Sequence, residues 1–246
     1  MKCALCIITV RPSILWIEFL STSQYDVFFM IDQTDIDYSE MYREKYPSIH
    51  FMQIGNEECL FFGYKHSSYM PNSSLVFNEI IAWDKALYYF SHIRTEYDHV
   101  WFLEDDVFIY DENTLLNIDK KYDSDLLCRD KNPEPREKEW QWFWPAIKIN
   151  FPPPYFHSPI CAVRMSKTLL SFIKEYVLSN QTLFFIEAMF PTIAHRHNLL
   201  HDTPAEFQKL VWRYDWNPKD LMKTDLVHPL KKIENHVVFR DIISKR

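Results

Sequence analysis

Two rhythms of apolar residues alternate along the N-terminal half of this chain. Residues 4–9, 25–31 and 49–54 are short runs rich in β-branched and aromatic side chains, and that composition predicts strands. Between the first two, residues 12–21 set Ile14, Leu15, Phe19 and Leu20 at helical spacing. A strand-helix-strand order predicts a parallel sheet with crossover helices, whose ligands sit at the C-terminal strand ends. Thr9, Arg11 and Asp32 fall at those ends, where a nucleotide base and ribose would lie. A solvated strand end and an ordinary turn carboxylate explain them equally well. Residues 57–73 read as a polar, aromatic loop. Residues 78–92 read as an amphipathic helix carrying Ile80, Ile81, Ala86, Leu87 and Phe90, with Trp83, Asp84 and Lys85 breaking its apolar rhythm.

The pattern changes at residues 99–110. Val100, Trp101, Phe102 and Leu103 have the composition of a strand buried on both faces, yet the run ends in Glu104, Asp105 and Asp106. Carboxylates are rarely buried unless they are paired or bind a metal. An acidic turn in water is the plain explanation, but Val107, Phe108 and Ile109 resume the apolar run at once and pin the acids between two core segments. A divalent cation such as Mg²⁺ or Mn²⁺ resolves the conflict, because hard cations take oxygen ligands and keep positions open for phosphate oxygens.

Beyond the acidic run, residues 120–138 are charged and contain Pro133 and Pro135, the texture of a mobile loop. Trp140, Trp142 and Trp144 alternate as if lining one strand face, where they could stack on sugar rings or cover the core. Residues 157–170 run from a strand into a helix started by Ser166, and residues 184–194 form an apolar helix in which Glu187 stands alone. A solitary acid on such a face is either a caught polar residue or a working base. Residues 225–232 place His228 before a proline and two lysines, suited to completing a metal-diphosphate site with His228 as a ligand and Lys231 or Lys232 against phosphate charge; an ordinary basic turn is the alternative. His195 and His197 lack a nearby carboxylate to complete a zinc set and read as structural.

Composition narrows the partners. With 246 residues, 47% hydrophobic and 17% aromatic, the chain can bury a large core as one domain. A net charge of −7 and a pI of about 5.8 argue against nucleic acid or an anionic membrane as partner. Gly55 and Gly63 are the only 2 glycines and fit neither a Rossmann nor a P-loop phosphate cradle, so a bound diphosphate would need a metal and cationic side chains. Cys3, Cys6, Cys59, Cys128 and Cys161 form no disulfide framework, and Cys3 and Cys6 read as strand residues. The apolar stretch 4–10 stops at Arg11 and Pro12, far short of the ~20 residues of a membrane span, and no signal peptide is evident. Asn72 and Asn180 begin glycosylation sequons, which matter only in a secretory setting.

The apolar strand followed by Glu-Asp-Asp resembles the metal-binding DXD or EDD motif of GT-A glycosyltransferases, most of all inverting N-acetylglucosaminyltransferases with Glu-Asp-Asp-Leu or a near variant. That resemblance implies a GT-A-like single domain, α/β, with a mixed, mostly parallel central sheet flanked by helices; residues 1–110 would bind the nucleotide sugar and 111–246 the acceptor. It implies Asp106 as ligand of Mn²⁺ or Mg²⁺ and Glu104 and Asp105 as contacts to the UDP-sugar donor. Asp84 and Lys85, on the helix before the metal strand, become donor-site candidates, although an exposed charge pair is the usual case. The string Glu-x-x-Phe-Pro-Thr starting at Glu187 is similar to a segment of the mucin-core branching family in which the acid is the catalytic base, with Asp202 as the substitute here. The mucin-core family works without metal and lacks the acidic motif, whereas the acidic-motif enzymes differ in the C-terminal half.

The expected activity is transfer of a sugar, xylose or N-acetylglucosamine favoured, from a UDP-sugar to a glycan hydroxyl with inversion. An unanchored chain of this kind points to the cytoplasm or to a lost anchor, and the low glycine content fits a large DNA virus or a protist as source. Two other readings stay open. A metal-dependent nucleotidyl- or phosphotransferase would need a second carboxylate cluster, and a non-catalytic glycan binder would use Trp140, Trp142 and Trp144 without metal or nucleotide.

Overall fold

The computed structural model describes residues 2–65, 80–130, 150 and 152–246. Strands β1 (Cys3–Thr9), β2 (Asp26–Ile31), β3 (Ile49–Met52) and β4 (His99–Glu104) are parallel, with β1 between β2 and β4. Three shorter strands, β5 (Leu126–Leu127), β6 (Ala162–Ser166) and β7 (His201–Asp202), extend the sheet to the order β3-β2-β1-β4-β6-β5-β7. Only β6 of these seven runs against the rest. The sheet is therefore mixed and mostly parallel, as the sequence predicts.

Strand composition explains why both faces are covered. On β1, Ala4, Cys6 and Ile8 enter one core while Leu5 and Ile7 enter the other; on β4, Val100 and Phe102 oppose Trp101 and Leu103 in the same way. Helices α1 (Ile14–Leu20), α2 (Tyr38–Tyr42) and α5 (Asn113–Lys121) contribute to one core. Helices α3 (Asn56–Phe61), α4 (Ala82–Tyr88), α6 (Lys167–Asn180) and α7 (Ile186–Arg196) contribute to the other. A separate parallel pair, β8 (Lys209–Leu210) and β9 (Val227–His228), precedes α8 (Ile233–Ser244). No helix among the described residues is long and apolar enough to cross a membrane.

Chain order sets the position of the functional crevice. The chain steps outward from β1 through β2 to β3 and then returns to the other side of β1 with β4, so direction reverses between β1 and β4. In open α/β sheets the crevice at the strands' C-terminal ends lies at such a switch point. Thr9 and Glu104, the last residues of these strands, open onto it.

Several expectations need correction. Residues 57–73 contain helix α3, favoured by Glu57 and Glu58 in its first turn and anchored by buried Cys59; residues 66–79, with the Asn72 sequon, lie outside the described residues. Residues 120–138 are not one loop, since Lys120 and Lys121 end α5 while Leu126, Leu127 and Cys128 are fully buried. Apolar spacing prevailed there over the surrounding charge. The remainder, with Trp140, Trp142 and Trp144, lies outside the described residues. The turn at Ser166 is as expected, its hydroxyl oxygen capping α6 through the Leu169 N–H at 3.1 Å.

Asp84 and Lys85 are not the exposed charge pair that a helix usually carries. Both are buried in α4. Lys85 Nζ donates to Asp32 Oδ1 at 2.8 Å and to the Asp32 carbonyl at 3.2 Å. Asp84 Oδ2 accepts from the Ile81 N–H at 2.9 Å, closing the first turn, while Oδ1 has no hydrogen-bond partner among the described residues. Lys85 thereby holds α4 against the end of β2, and Asp84 closes the first turn of its own helix.

Burial, against the Ile81 hydrogen bond, pushes the Asp84 carboxyl up to about 7. A carboxyl whose pKa is raised on folding holds its proton in the native state, so its contribution is full near pH 4 and is lost as pH rises through 7. Asp84→Asn keeps the acceptor for Ile81 and removes the titration. Relative to the wild type it should gain roughly 2–4 kcal/mol between pH 4.5 and pH 8 in urea unfolding. A difference that stays constant across that range would show that the carboxylate is ionised throughout.

Candidate active site

The acidic turn is held by backbone contacts on every side. Glu104 N–H donates to the Cys161 carbonyl at 2.8 Å and Asp105 N–H to that of Ile8 at 3.1 Å, continuing the ladder on both neighbours of β4. The chain then reverses, with Val107 N–H donating to the Glu104 carbonyl at 3.0 Å. Trp16 Nε1 donates to the Asp105 carbonyl at 2.8 Å. Val107, Phe108 and Ile109 return to full burial, which fixes the turn from behind.

Those same residues capture the C-terminal segment. Phe108 and Val227 exchange both backbone hydrogen bonds, at 2.8 and 3.0 Å, and Leu230 N–H donates to the Asp106 carbonyl at 2.7 Å. His228 is thereby set against the carboxylates. Its Nε2 lies 3.2 Å from Asp106 Oδ1 and 3.7 Å from Glu104 Oε2. Its Nδ1 donates to the Val211 carbonyl at 2.7 Å, since that oxygen can only accept.

In the neutral imidazole the proton is thus on Nδ1, and Nε2 presents a lone pair to two carboxylates that also only accept. Such an arrangement calls for a proton or a cation at its centre. Burial opposes a charged His228, but the adjacent Asp106, the Val211 carbonyl and Glu104 outweigh it and raise its pKa. One ligand atom each from Glu104, Asp106 and His228 lies within 4.8 Å of the others. Asp106 Oδ1 is buried, and among the described residues its close polar neighbour is His228 Nε2, which in the neutral ring has no proton to donate to it. Two carboxylate oxygens and one imidazole nitrogen, with the second ring nitrogen tied to a carbonyl, fit a divalent cation of the Mn²⁺ or Mg²⁺ kind. Trp83 Nε1 donates to Glu104 Oε1 at 2.9 Å and orients it.

Glu187 joins this group from α7. It is buried, and its Oε2 has no hydrogen-bond partner among the described residues. With Glu104, His228 and the half-exposed Trp212 it lines a cavity of about 50 Å³, small enough for a water and too small for a sugar ring. Burial and then the charge of Glu104 push its carboxyl well above the usual range.

A second cavity of about 300 Å³ opens on the other side of the acids, lined by Ile8, Thr9, Val10, Asp32, Trp83 and the three carboxylates. The Thr9 hydroxyl lies against the Asp105 carboxylate and 2.8 Å from the Arg11 carbonyl, and accepts from the Arg11 N–H at 3.2 Å. Arg11 is exposed beside this cavity. Asp32 faces the cavity with Lys85 behind it.

The remaining candidates lie elsewhere. Asp202 pairs with Leu127, Leu127 with Arg164 and Arg164 with Trp101, so Asp202 is level with Trp101 and three strands away. At strand spacings this is about 14 Å across and 10 Å short of Glu104. Its carboxylate accepts from the Ser124 hydroxyl at 2.5 Å, and it cannot substitute for Glu187. Lys231 and Lys232, expected against phosphate charge, both line a different cavity from the one bounded by the carboxylates. Sequence reasoning missed Trp16, Trp83, Val211 and Trp212. For Val211 no signal existed, since a backbone carbonyl has none; α8 could have been found from the spacing of Ile233, His236, Phe239 and Ile243.

No protein-family model and no curated protein matches the chain. Among solved structures it is similar to the apo form of mouse xyloside xylosyltransferase 1, at 12% identity over 82% of this chain and 84% of that one, TM-score 0.42. It is similar to the galactosyltransferase LgtC in complex with donor and acceptor sugar analogs, at 12% identity over 98% and 96%, TM-score 0.46. It is also similar to 4-diphosphocytidyl-2C-methyl-D-erythritol synthase from Anaerococcus prevotii DSM 20548, at 12% identity over 100% and 99%, TM-score 0.47. Likeness at this level describes overall shape and carries no conclusion about substrate.

If the three side chains hold a cation, Asp106→Ala and His228→Ala should each lower Mn²⁺ affinity by more than about 100-fold, and Trp83→Phe by about 10-fold through loss of the N–H that orients Glu104. Electron paramagnetic resonance of free Mn²⁺ measures all of these. Equal affinities across the series would place the cation elsewhere.

Proposed function

We propose that the protein is a metal-dependent glycosyltransferase of GT-A type, transferring a sugar from a UDP-sugar to a glycan hydroxyl with inversion. Xylose and N-acetylglucosamine are the donor sugars favoured by the resemblance of the acidic motif. The observation that carries the reading is the meeting of Glu104, Asp106 and His228 at the β1/β4 switch point, with the solitary acid Glu187 across a small cavity from them. Residues 1–110 would form most of the donor site and 111–246 the acceptor site.

The chain's own groups divide the work. Asp32, fixed by Lys85, and Thr9, which holds Asp105, line the cavity where the nucleotide would lie. Glu104, Asp106 and His228 would hold Mn²⁺ or Mg²⁺, which supplies positive charge to the departing diphosphate when bound. Glu187 would take the proton of the acceptor hydroxyl as that oxygen attacks the anomeric carbon. In the state described here burial and Glu104 favour its protonated form. Neutralising Glu104 removes the second of those causes, so occupancy of the donor site and readiness of the base are linked.

The transfer of a nucleotidyl or phosphoryl group would call for a second carboxylate cluster. Among the described residues Glu104, Asp106 and His228 are the one group with ligand spacing, which favours the sugar transferase.

Calorimetric titration of UDP, with and without Mn²⁺, tests the donor site. Metal-dependent binding with a Kd of about 1–100 μM that disappears in Asp106→Ala supports it, and absence of binding under every metal removes it. Glu187→Gln should bind UDP as the wild type does but lose about 10²–10⁴-fold in transfer. A product of retained anomeric configuration would take away the role of Glu187.

A further inference from the structure

A third cavity, of about 640 Å³, adjoins the metal-site segment and has the opposite charge character. It is lined by Arg213, Tyr214, Trp216, Lys231, Lys232 and Asn235. Pro229 and Leu230, which follow the candidate ligand His228, complete its wall, and Trp216 Nε1 donates to the His228 carbonyl at 3.2 Å. The cavity and the acids thus share one stretch of backbone.

We propose that this cavity binds a sugar residue bearing an anionic substituent, a carboxylate, sulfate or phosphate, on the acceptor glycan. The assignment to the acceptor rests on the transferase reading; the ligand chemistry rests on the cavity alone. In a chain of net charge −7, three cations line one cavity against a single carboxylate, Asp215. Among the described residues none of Arg213, Lys231 and Lys232 makes an ion pair. Lys232 stands just before α8, whose first turn, through Asn235, also faces the cavity and adds the positive end of a 12-residue helix. The three side chains are exposed at the cavity and unpaired among the described residues, so they are available to an anion.

The aromatic pair supplies the other half of the argument. Tyr214 is 59% exposed, and its ring centroid lies 4.3 Å from that of Trp216 at 46°. Because the Trp216 N–H is already used by His228, the indole offers its apolar ring rather than a donor. An apolar aromatic surface beside cations matches a pyranose with a charged group better than it matches a bare anion. The volume lies within the usual range for small-ligand sites. The donor diphosphate is a poorer candidate, because the carboxylates line the other cavity and none of them lines this one.

Ligand-observed NMR titration of the whole chain tests this with methyl β-D-glucuronide and glucose 6-phosphate, against methyl β-D-glucoside and inorganic phosphate. The charged sugars should bind about tenfold tighter than either control, the equivalent of one charge-assisted hydrogen bond. The double variant R213Q/K232Q should lose that advantage, while UDP binding with Mn²⁺ stays within about twofold of wild type on the same scale. Asp106→Ala should do the reverse, abolishing UDP binding and sparing the charged sugars. Should the double variant fail to fold, wild type suffices. Raising salt from about 50 to about 500 mM should weaken the charged sugars and not the glucoside.

Equal binding of charged and neutral sugars, or phosphate binding as tightly as glucose 6-phosphate, overturns the proposal. So does loss of UDP binding in R213Q/K232Q, which would give the cavity to the donor. Charged-sugar binding without any UDP binding would keep the cavity assignment and defeat the transferase reading. UDP binding without charged-sugar binding would do the opposite.

Discussion

Three acceptor groups held face to face at a strand end are the constraint around which the rest of this molecule is arranged. Glu104 and Asp106 are anchored at the end of a strand whose other residues are buried on both sides, which fixes where their carboxylates begin. His228 is locked with Nε2 toward them by the Val211 carbonyl. Like charges at this spacing repel, and burial raises the cost. A cation between them turns the same geometry from a liability into a binding site, and the structure pre-pays the assembly through backbone hydrogen bonds from Phe108, Val227 and Leu230.

The same economy of charge runs through the interior. Lys85 and Arg164 are buried cations, each matched to a carboxylate: Asp32 at 2.8 Å and Asp119 at 2.7 Å. Buried pairs of this kind recover little beyond their desolvation cost and are better understood as fixing geometry. Lys85 fixes Asp32 at the lip of the donor cavity. Arg164 also donates to the Tyr122 and Ser124 carbonyls, tying β6 to the chain leading into β5. His236 does the corresponding work for α8, donating to the Leu230 carbonyl at 3.0 Å within contact of Trp16 and Phe108. Burial lowers its pKa to about 4, so this link is neutral at pH 7.

The C-terminal segment carries two chemistries on residues close together in the chain. His228 faces the acids, while Lys231 and Lys232 line a basic, aromatic cavity. A three-residue interval separates a cation-seeking site from an anion-seeking one. If both are occupied in one reaction, the donor diphosphate is met through a cation on the acids and the acceptor's anionic group directly by the basic side chains.

By itself the sequence determined the strands β1 to β4, the strand-to-helix turn at Ser166 and the acidic strand end, because each is written in local composition or in a side-chain cap. It also singled out Glu187 and His228, since an isolated acid in an apolar helix and a histidine beside proline and lysines are visible without a fold. Only the tertiary structure decided which of these residues meet. The Phe108–Val227 bridge joins segments far apart in the chain through backbone groups that every residue possesses, so no side-chain pattern announces it. Tertiary packing also decided that Asp84 and Lys85 are buried, that Asp202 belongs to a distant edge strand, and that Lys231 lines a cavity the three acids do not. Local sequence sets what a side chain can do; burial and neighbours, which depend on the whole chain, set what it is asked to do.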